Sequence, residues 1–332
     1  MNFETMSKPI IFSAIQPSGN LHIGNYLGAV ANWVKLQDSG KYEVYFAIAD
    51  WHALAGNTKP SALSEQKIIV AAELLAAGLD PEKITFFTQS DVPEHVELSW
   101  IFNCLTPVSE LYRMTQFKDK SEKQEKNINA GLLTYPILQA ADILLYKGDL
   151  VPVGADQIQH VELTRAIARW FNKKYGAFFS ETKHLLTETP KIMSLLAPDK
   201  KMSKSLGAGH VIELADEPEE IENKLRKAVT ATEGGWAAPG VENLLAILKN
   251  FGEEEEYARF ADAEKNQTIK YGELKKATAV AVADYFSDFR EKRKTLLAEP
   301  EKIKAILEDG ARRARRVAGI TMEQVRKIIG IK

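Results

Sequence analysis
Only one of the 332 residues is a cysteine, Cys104, which excludes an intrachain disulfide and suits a reducing compartment. That lone thiol is expected as a small buried hydrophobe on a helix. No apolar run approaches the ~20 residues of a membrane-spanning helix, because charges interrupt every stretch. The segment Met1 to Lys8 lacks the charged-then-apolar plan of a signal peptide, so a cytoplasmic protein is expected. There is no internal repeat, and low complexity is confined to Glu253–Glu256. The net charge of −2 gives by itself no pointer to nucleic acid.

An apolar fraction of 45% and a charged fraction of 27% are those of a globular chain long enough for two domains. Residues 9–15, 42–49, 84–88 and 149–153 read as short buried strands. Helical spacing follows over 23–37, 61–79, 94–117, 131–146 and 155–175, and strands alternating with helices imply a Rossmann-like open parallel sheet of α/β class. The lysine-rich stretch 118–126 reads as a mobile surface loop. From Glu213 onward no strand is expected, only helices over about 216–231, 241–263, 270–297, 300–318 and 321–330. The expected division is therefore an α/β domain over 1–207 and an α-helical domain over 208–332, its last helix able to pack back on the first domain. Charge is polarised within the helical part. Residues 213–264 hold 14 acidic and 5 basic side chains, and residues 265–332 hold 17 basic and 9 acidic. A basic side of that kind suits a phosphate backbone, although two solvated helix faces of opposite sign would look the same.

Four stretches carry chemistry. Lys201-Met202-Ser203-Lys204-Ser205, between Pro198 and the pair Gly207 and Gly209, reads as a loop whose ammonium groups can meet phosphate. Pro17 to Asn25 follows a strand and opens a helix, where free N–H groups and the helix dipole favour anions. Its glycines, Gly19 and Gly24, lack the G-x-G-x-x-G spacing of a dinucleotide site, and His22 reads equally as a helix cap. Tyr135, Gln139, Asp142 and Tyr146 share one face of one apolar helix, which Pro136 must begin or kink. Burying Asp142 there demands a hydrogen-bond donor, from the backbone or from a ligand. Finally, Gly154-Ala155-Asp156-Gln157 again joins a strand to a helix, and Asp156 suits either ribose hydroxyls or an N-cap.

PSGNLHIGNY, MTQFKDKS, GLLTYPILQAADILLY with VPVGADQIQH, and KMSKS occur in this order along nearly the whole chain. Together they resemble the class I aminoacyl-tRNA synthetases, and among them the bacterial tryptophanyl-tRNA synthetases. The resemblance implies that Gln16, Pro17, Ser18, His22, Gly24, Asn25, Gly154, Ala155, Asp156 and Ile192 hold ATP. It also implies that Lys201, Met202, Ser203, Lys204 and Ser205 close over the pyrophosphate, with Lys201 and Lys204 as the catalytic cations beside Mg²⁺. Asp142 would accept the indole N–H of tryptophan, Tyr135 and Gln157 would hold its α-amino group, and Phe12, His52 and Gln139 would lie at the pocket. The partners implied are L-tryptophan, tRNA(Trp), read at its anticodon region by the helical domain, and a second copy meeting this one through residues 90–130. Basic residues such as Arg312, Arg313, Arg315 and Arg316 are candidates for tRNA contact. No separate structural metal is implied. Two departures stand out: Asn25 ends the signature in place of a second histidine, as is usual for the tryptophan enzymes, and Gln139 stands where methionine is commoner and tyrosyl enzymes often carry glutamine. The alternatives are accordingly a tyrosyl-tRNA synthetase, a non-catalytic synthetase-like binding protein, and a nucleotidyltransferase acting on another acid.

Overall fold
In a computed structural model the described residues are 8–56, 60–117, 128–154, 157–186, 190–230 and 238–331, with the backbone alone at 60 and 61. Five parallel strands form one sheet in the order β3-β2-β1-β4-β5: β1 Ile10–Ile15, β2 Glu43–Ile48, β3 Thr85–Thr88, β4 Leu150–Val153 and β5 Lys183–Leu186. Strands β2 and β3 are buried along nearly their whole length on both faces, as the unbroken apolar runs require. Helices cross over between successive strands. The chain winds from β1 through β2 to β3 and then returns to the other side of β1 at β4. The carboxyl ends of β1 and β4 thus flank a topological switch point, where sheets of this kind bind ligands.

Strand β5 was not expected, since KHLL is short and carries charge and a histidine. It is an edge strand, only partly buried. Just past the expected strand 42–49, Asp50–Ala53 forms a short helix that carries His52. The helix expected from 131 begins at Ala130, where the Asn129 side chain accepts the Leu132 N–H, and it runs to Leu145 with Pro136 inside it rather than at its start. The missing Pro136 N–H leaves the Leu132 carbonyl without its helical donor. The segment 94–117 breaks after Asn103 and resumes at Val108, because Pro107 cannot continue a helix. Cys104 sits at that break and is exposed, not buried. The stretch 118–126 lies outside the described residues.

After β5 the described residues run through loops, isolated bridges and two single 3-10 turns over 190–217 and are then mainly helical. The helices are Pro218–Lys227, Pro239–Phe251, Glu254–Lys265, Tyr271–Tyr285, Ser287–Ala298 and Pro300–Ile329. Two expected helices are divided, at Gly252 and at Phe286. The last two merge into one of 30 residues, since nothing from Ala318 to Thr321 breaks it.

The chain folds as two compact units, which divide at residues 19/20, 31/32, 188/189 and 298/299 rather than at one boundary near 207. An α/β unit takes the sheet, its helices and everything from residue 299 on. A helical unit takes residues 20–31 and 189–298. The first reason is backbone pairing: Ile23 N–H donates to Ile212 and Leu214 N–H to Leu21, tying the N-terminal signature to the chain after the lysine loop. The second is burial. Ile303, Ala311, Ala314, Ala318, Met322 and Val325 on the last helix are all buried, and the helix packs against β3. At Gly310 the helix passes so close that a Cβ would collide with the Phe86 carbonyl of β3. Gly310→Ala is expected to cost about 1–3 kcal/mol through overpacking. A lowered midpoint in urea denaturation of the α/β unit, followed by tryptophan fluorescence, would show it.

Candidate active site
The α/β unit buries Asp142 almost completely, at 2% exposure, in the middle of helix Ala130–Leu145. Three side chains donate to it. Gln89 Nε2 lies 2.7 Å from Oδ1, His95 Nδ1 lies 2.6 Å from Oδ1, and His52 Nε2 lies 2.8 Å from Oδ2. Burial pushes the Asp142 carboxyl up, but the His52 bond and the charge and bond of His95 outweigh it and hold the group below the ordinary carboxylate range. The group is therefore an anion. An ionised carboxylate offers about four lone-pair positions, so three donors leave room for one more.

A second buried carboxylate in the same unit makes the contrast. Asp50 receives the N–H of Trp51 and of Ser90, the Ser90 hydroxyl and Lys67 Nζ at 3.1 Å. Its acceptor positions are filled and a fixed cation balances its charge. Asp142 has no lysine or arginine among its bonded partners, only an amide and two imidazoles. It keeps room for a further donor, whereas the acceptor positions of Asp50 are taken.

Around Asp142 the other expected pocket residues assemble. Phe12 on β1 is buried and stacks on Tyr146, with ring centroids 5.6 Å apart. The Tyr135 ring meets that of His52 edge-on at 6.3 Å. Its hydroxyl lies 2.9 Å from His160 Nε2, and burial pushes its pKa up to about 12. His52, Tyr135, Trp51, Leu54, Ser99 and Thr134 line a cavity of about 250 Å³. Gln139 is half-buried on the same helix, and Gln157 precedes the helix Ile158–Tyr175 that carries His160. Gln16 and Ser18 are exposed at the end of β1, with Pro17 buried between them, and Gly154 follows β4 at the switch point. Ala155 and Asp156 lie outside the described residues. Sequence reasoning missed His95 and Gln89. They stand 47 and 53 residues before Asp142, and nothing local marks either of them.

The helical unit brings the two phosphate-type motifs together. His22 caps the helix start at Ile23 reciprocally with Asn25: its Nδ1 accepts the Asn25 N–H at 3.3 Å, while Asn25 Oδ1 accepts the His22 N–H at 3.2 Å. Burial, then the charges of Lys204 and Lys201, push the His22 pKa down to about 4, so its ring is neutral at pH 7. Lys204 Nζ donates to the Asn20 carbonyl at 2.7 Å, while Lys201 is exposed. Gly24 is needed for the approach, since a Cβ there would stand 3.0 Å from the His22 ring and 3.7 Å from Met202 Cβ. The lysine loop is anchored where Met202 N–H donates to the buried Ile192 carbonyl and Met193 bridges to Lys201. The Asn243 amide braces Met193 from the other side, at 2.8 and 2.9 Å. Ser203 and Ser205 bond each other through their hydroxyls at 2.9 Å. The four arginines named for tRNA lie on the last helix, in the α/β unit, where Arg313 donates to the Pro81 carbonyl, Arg315 to that of Asp91, and Arg312 pairs with Asp309.

The family described as tRNA synthetases class I (W and Y) matches residues 5–287. A tryptophan–tRNA ligase of Streptomyces avermitilis, its ligase 2, is 44% identical over 97% of both chains. That of Clostridium tetani is also 44% identical, over 98% of this chain and 96% of its own. Among solved structures, the tryptophanyl-tRNA synthetase of Campylobacter jejuni in complex with ADP and tryptophan matches with a TM-score of 0.85 and 34% identity, covering 97% of this chain and 99% of that one. The chain belongs to the class I tRNA synthetases for tryptophan and tyrosine, among the bacterial tryptophanyl enzymes. For a class I synthetase the neutral His22 has a measurable consequence. In the unfolded chain this group titrates near 6.5 and in the folded one near 4, so between those values the unfolded state binds more protons. Its contribution to stability is complete above pH 6.5 and is lost as pH falls toward 4. His22→Asn keeps a capping acceptor and is expected to remove about 2 kcal/mol of the stability lost between pH 7 and pH 5. Urea titrations of both proteins at the two pH values, followed by circular dichroism, measure the difference.

Proposed function
We infer that the chain is a tryptophan–tRNA ligase, which joins tryptophan to ATP as tryptophanyl-adenylate and then transfers it to the 3′ end of tRNA(Trp). The observation that carries the amino-acid choice is Asp142: a buried anion with three side-chain donors among the described residues and one acceptor position left. Tryptophan brings an N–H to such a position. Phenylalanine has the bulk and brings none, and a site built to bond its substrate rejects the analogue lacking the donor by ~10⁴–10⁵. Gln139 does not alter that logic, because it adds an amide beside the carboxylate and does not replace it.

In the first step a tryptophan carboxylate oxygen attacks the α-phosphorus of ATP and the bond to pyrophosphate breaks, leaving adenylate and free pyrophosphate. In the second, a ribose hydroxyl of the tRNA end attacks the adenylate carbonyl and AMP departs. Neither step needs a protein nucleophile, so the enzyme works by positioning and by charge. Lys201 and Lys204 are the proposed donors to the leaving pyrophosphate, and Lys204 would exchange the Asn20 carbonyl for phosphate. Neutral His22, Gly24 and Asn25 offer the helix start to the nucleotide, with Gln16, Pro17, Ser18, Gly154, Ala155, Asp156 and Ile192 as its further contacts and Met202, Ser203 and Ser205 completing the loop. Tyr135 and Gln157 take the α-amino group, and Phe12 and His52 the indole. ATP is taken as its Mg²⁺ salt.

The helical unit is the proposed reader of the tRNA anticodon region, through the basic run Arg290, Lys292, Arg293 and Lys294 on helix Ser287–Ala298. A homodimer is proposed through helices Glu94–Asn103 and Val108–Tyr112, where Val96, Trp100, Val108 and Tyr112 are exposed, Trp100 at 70%. A cytoplasmic location goes with the proposed substrates, and among the described residues no helix is long and apolar enough to cross a membrane.

ATP–pyrophosphate exchange, run separately with tryptophan, tyrosine and phenylalanine, tests the reading. Exchange with tryptophan alone is expected. Exchange driven by tyrosine would overturn the substrate and keep the chemistry, and none with any of the three would leave a binding protein. Lys204→Ala is expected to slow exchange ~10²–10³-fold while leaving tryptophan binding little changed. Equal losses in both, by stopped-flow exchange and calorimetry, would remove Lys204 from pyrophosphate stabilisation.

A further inference from the structure
We infer that His95 and Tyr146 are positioning residues for amino-acid selection: Tyr146 fixes the tautomer of His95, and His95 holds Asp142 so that Oδ2 stays open to the substrate N–H. The inference rests on the reading that Asp142 accepts that N–H, and it concerns two residues that need not touch the substrate.

His95 is wholly buried. Its Nδ1 faces Asp142 Oδ1 at 2.6 Å, and its Nε2 faces the Tyr146 hydroxyl at 2.8 Å. An ionised carboxylate only accepts, so the nitrogen that faces it must carry a hydrogen. In a neutral imidazole the other nitrogen then accepts, and the one group facing it is a phenol that can donate. Tyr146 is wholly buried, and its ring lies between Phe12, at 5.6 Å, and Tyr45, at 4.7 Å. Burial and the nearby Asp142 charge keep its proton on, with a pKa well above the ordinary value. With a neutral His95 the chain runs in one direction, from Tyr146 O–H to His95 Nε2 and from His95 Nδ1–H to Asp142 Oδ1.

The arrangement divides the carboxylate. Among the described residues Oδ1 takes two donors, from His95 and Gln89, while Oδ2 takes His52 alone. Since His52 also lines the 250 Å³ cavity, the oxygen with spare capacity is the one bonded to the cavity-lining histidine. Rotation of the carboxylate would break the two bonds to Oδ1, and an unpaired buried acceptor is costly. His95 therefore prevents Asp142 from turning to satisfy itself elsewhere. Tyr146 prevents His95 from presenting a bare nitrogen to the anion.

The test compares tryptophan with its sulfur isostere, 3-(benzothiophen-3-yl)alanine, in ATP–pyrophosphate exchange. The isostere has nearly the same shape and no N–H. The wild-type enzyme is expected to prefer tryptophan strongly. Tyr146→Phe is expected to raise the tryptophan KM about tenfold, with kcat little changed and the isostere unaffected, so that the preference narrows. His95→Asn, which keeps a donor toward Oδ1, is expected to retain more of the preference than His95→Leu. A wild-type enzyme that takes both amino acids equally well would sink the reading of Asp142. A discriminating wild type with an undiminished preference in Tyr146→Phe, or with both KM values raised alike, would overturn the positioning role alone. Independently of any variant, nitrogen-15 spectra of histidine-labelled wild-type protein are expected to show His95 protonated at Nδ1 only. The Nε2–H tautomer or an imidazolium would overturn the proposal.

Discussion
A carboxylate removed from water must be answered on every side, and the α/β unit is arranged around answering Asp142. Its three donors come from three separate places: the turn after β3 supplies Gln89, the next helix supplies His95, and the short helix after β2 supplies His52. None could be moved independently of the strand ends that hold them. A parallel sheet brings these ends to one edge by construction, so the fold gathers polar groups where the chain most needs them. The acceptor capacity left on Asp142 sets it apart from the saturated Asp50, and the proposed binding of the substrate N–H rests on it.

The helical unit solves the opposite electrostatic problem. Two lysines stand near a helix start that already carries partial positive charge, and a protonated histidine would add to the repulsion. His22 is kept neutral by its burial and by those same lysines, and it acts as a cap acceptor. The cations proposed to meet phosphate thus also suppress charge on their neighbour.

The strands β1 to β4 were legible because buried parallel strands are unbroken apolar runs, and most helices because their periodicity or their prolines show them. β5 was not, since four mixed residues at a sheet edge carry no pattern. The continuous last helix was read as two because its weakly apolar middle resembles a break, although Gly319 is tolerated without a turn. In the site, residues grouped on one motif could be found: Tyr135 and Asp142 on their helix face, and Lys201 and Lys204 in their loop. His95 and Gln89 could not, because long-range contacts made by single residues leave no local trace. The bonds of Arg313 and Arg315 to carbonyls of the same chain were hidden for the same reason.

The position of helix Pro300–Ile329 bears on how the protein is made. The α/β unit begins with β1 but is closed only by this helix against β3, and the whole of residues 189–298 lies between them in the chain. Domains generally fold as units as they leave the ribosome, N-terminal first at ~5–20 residues per second. Here the unit made first must wait for the segment made last. Until then the β3 side of the sheet stands uncovered, while the helical residues after 189 emerge complete. The C-terminal segment therefore acts as a late clasp on the oldest part of the molecule, and a nascent chain that loses it forfeits the sheet's cover rather than a peripheral tail.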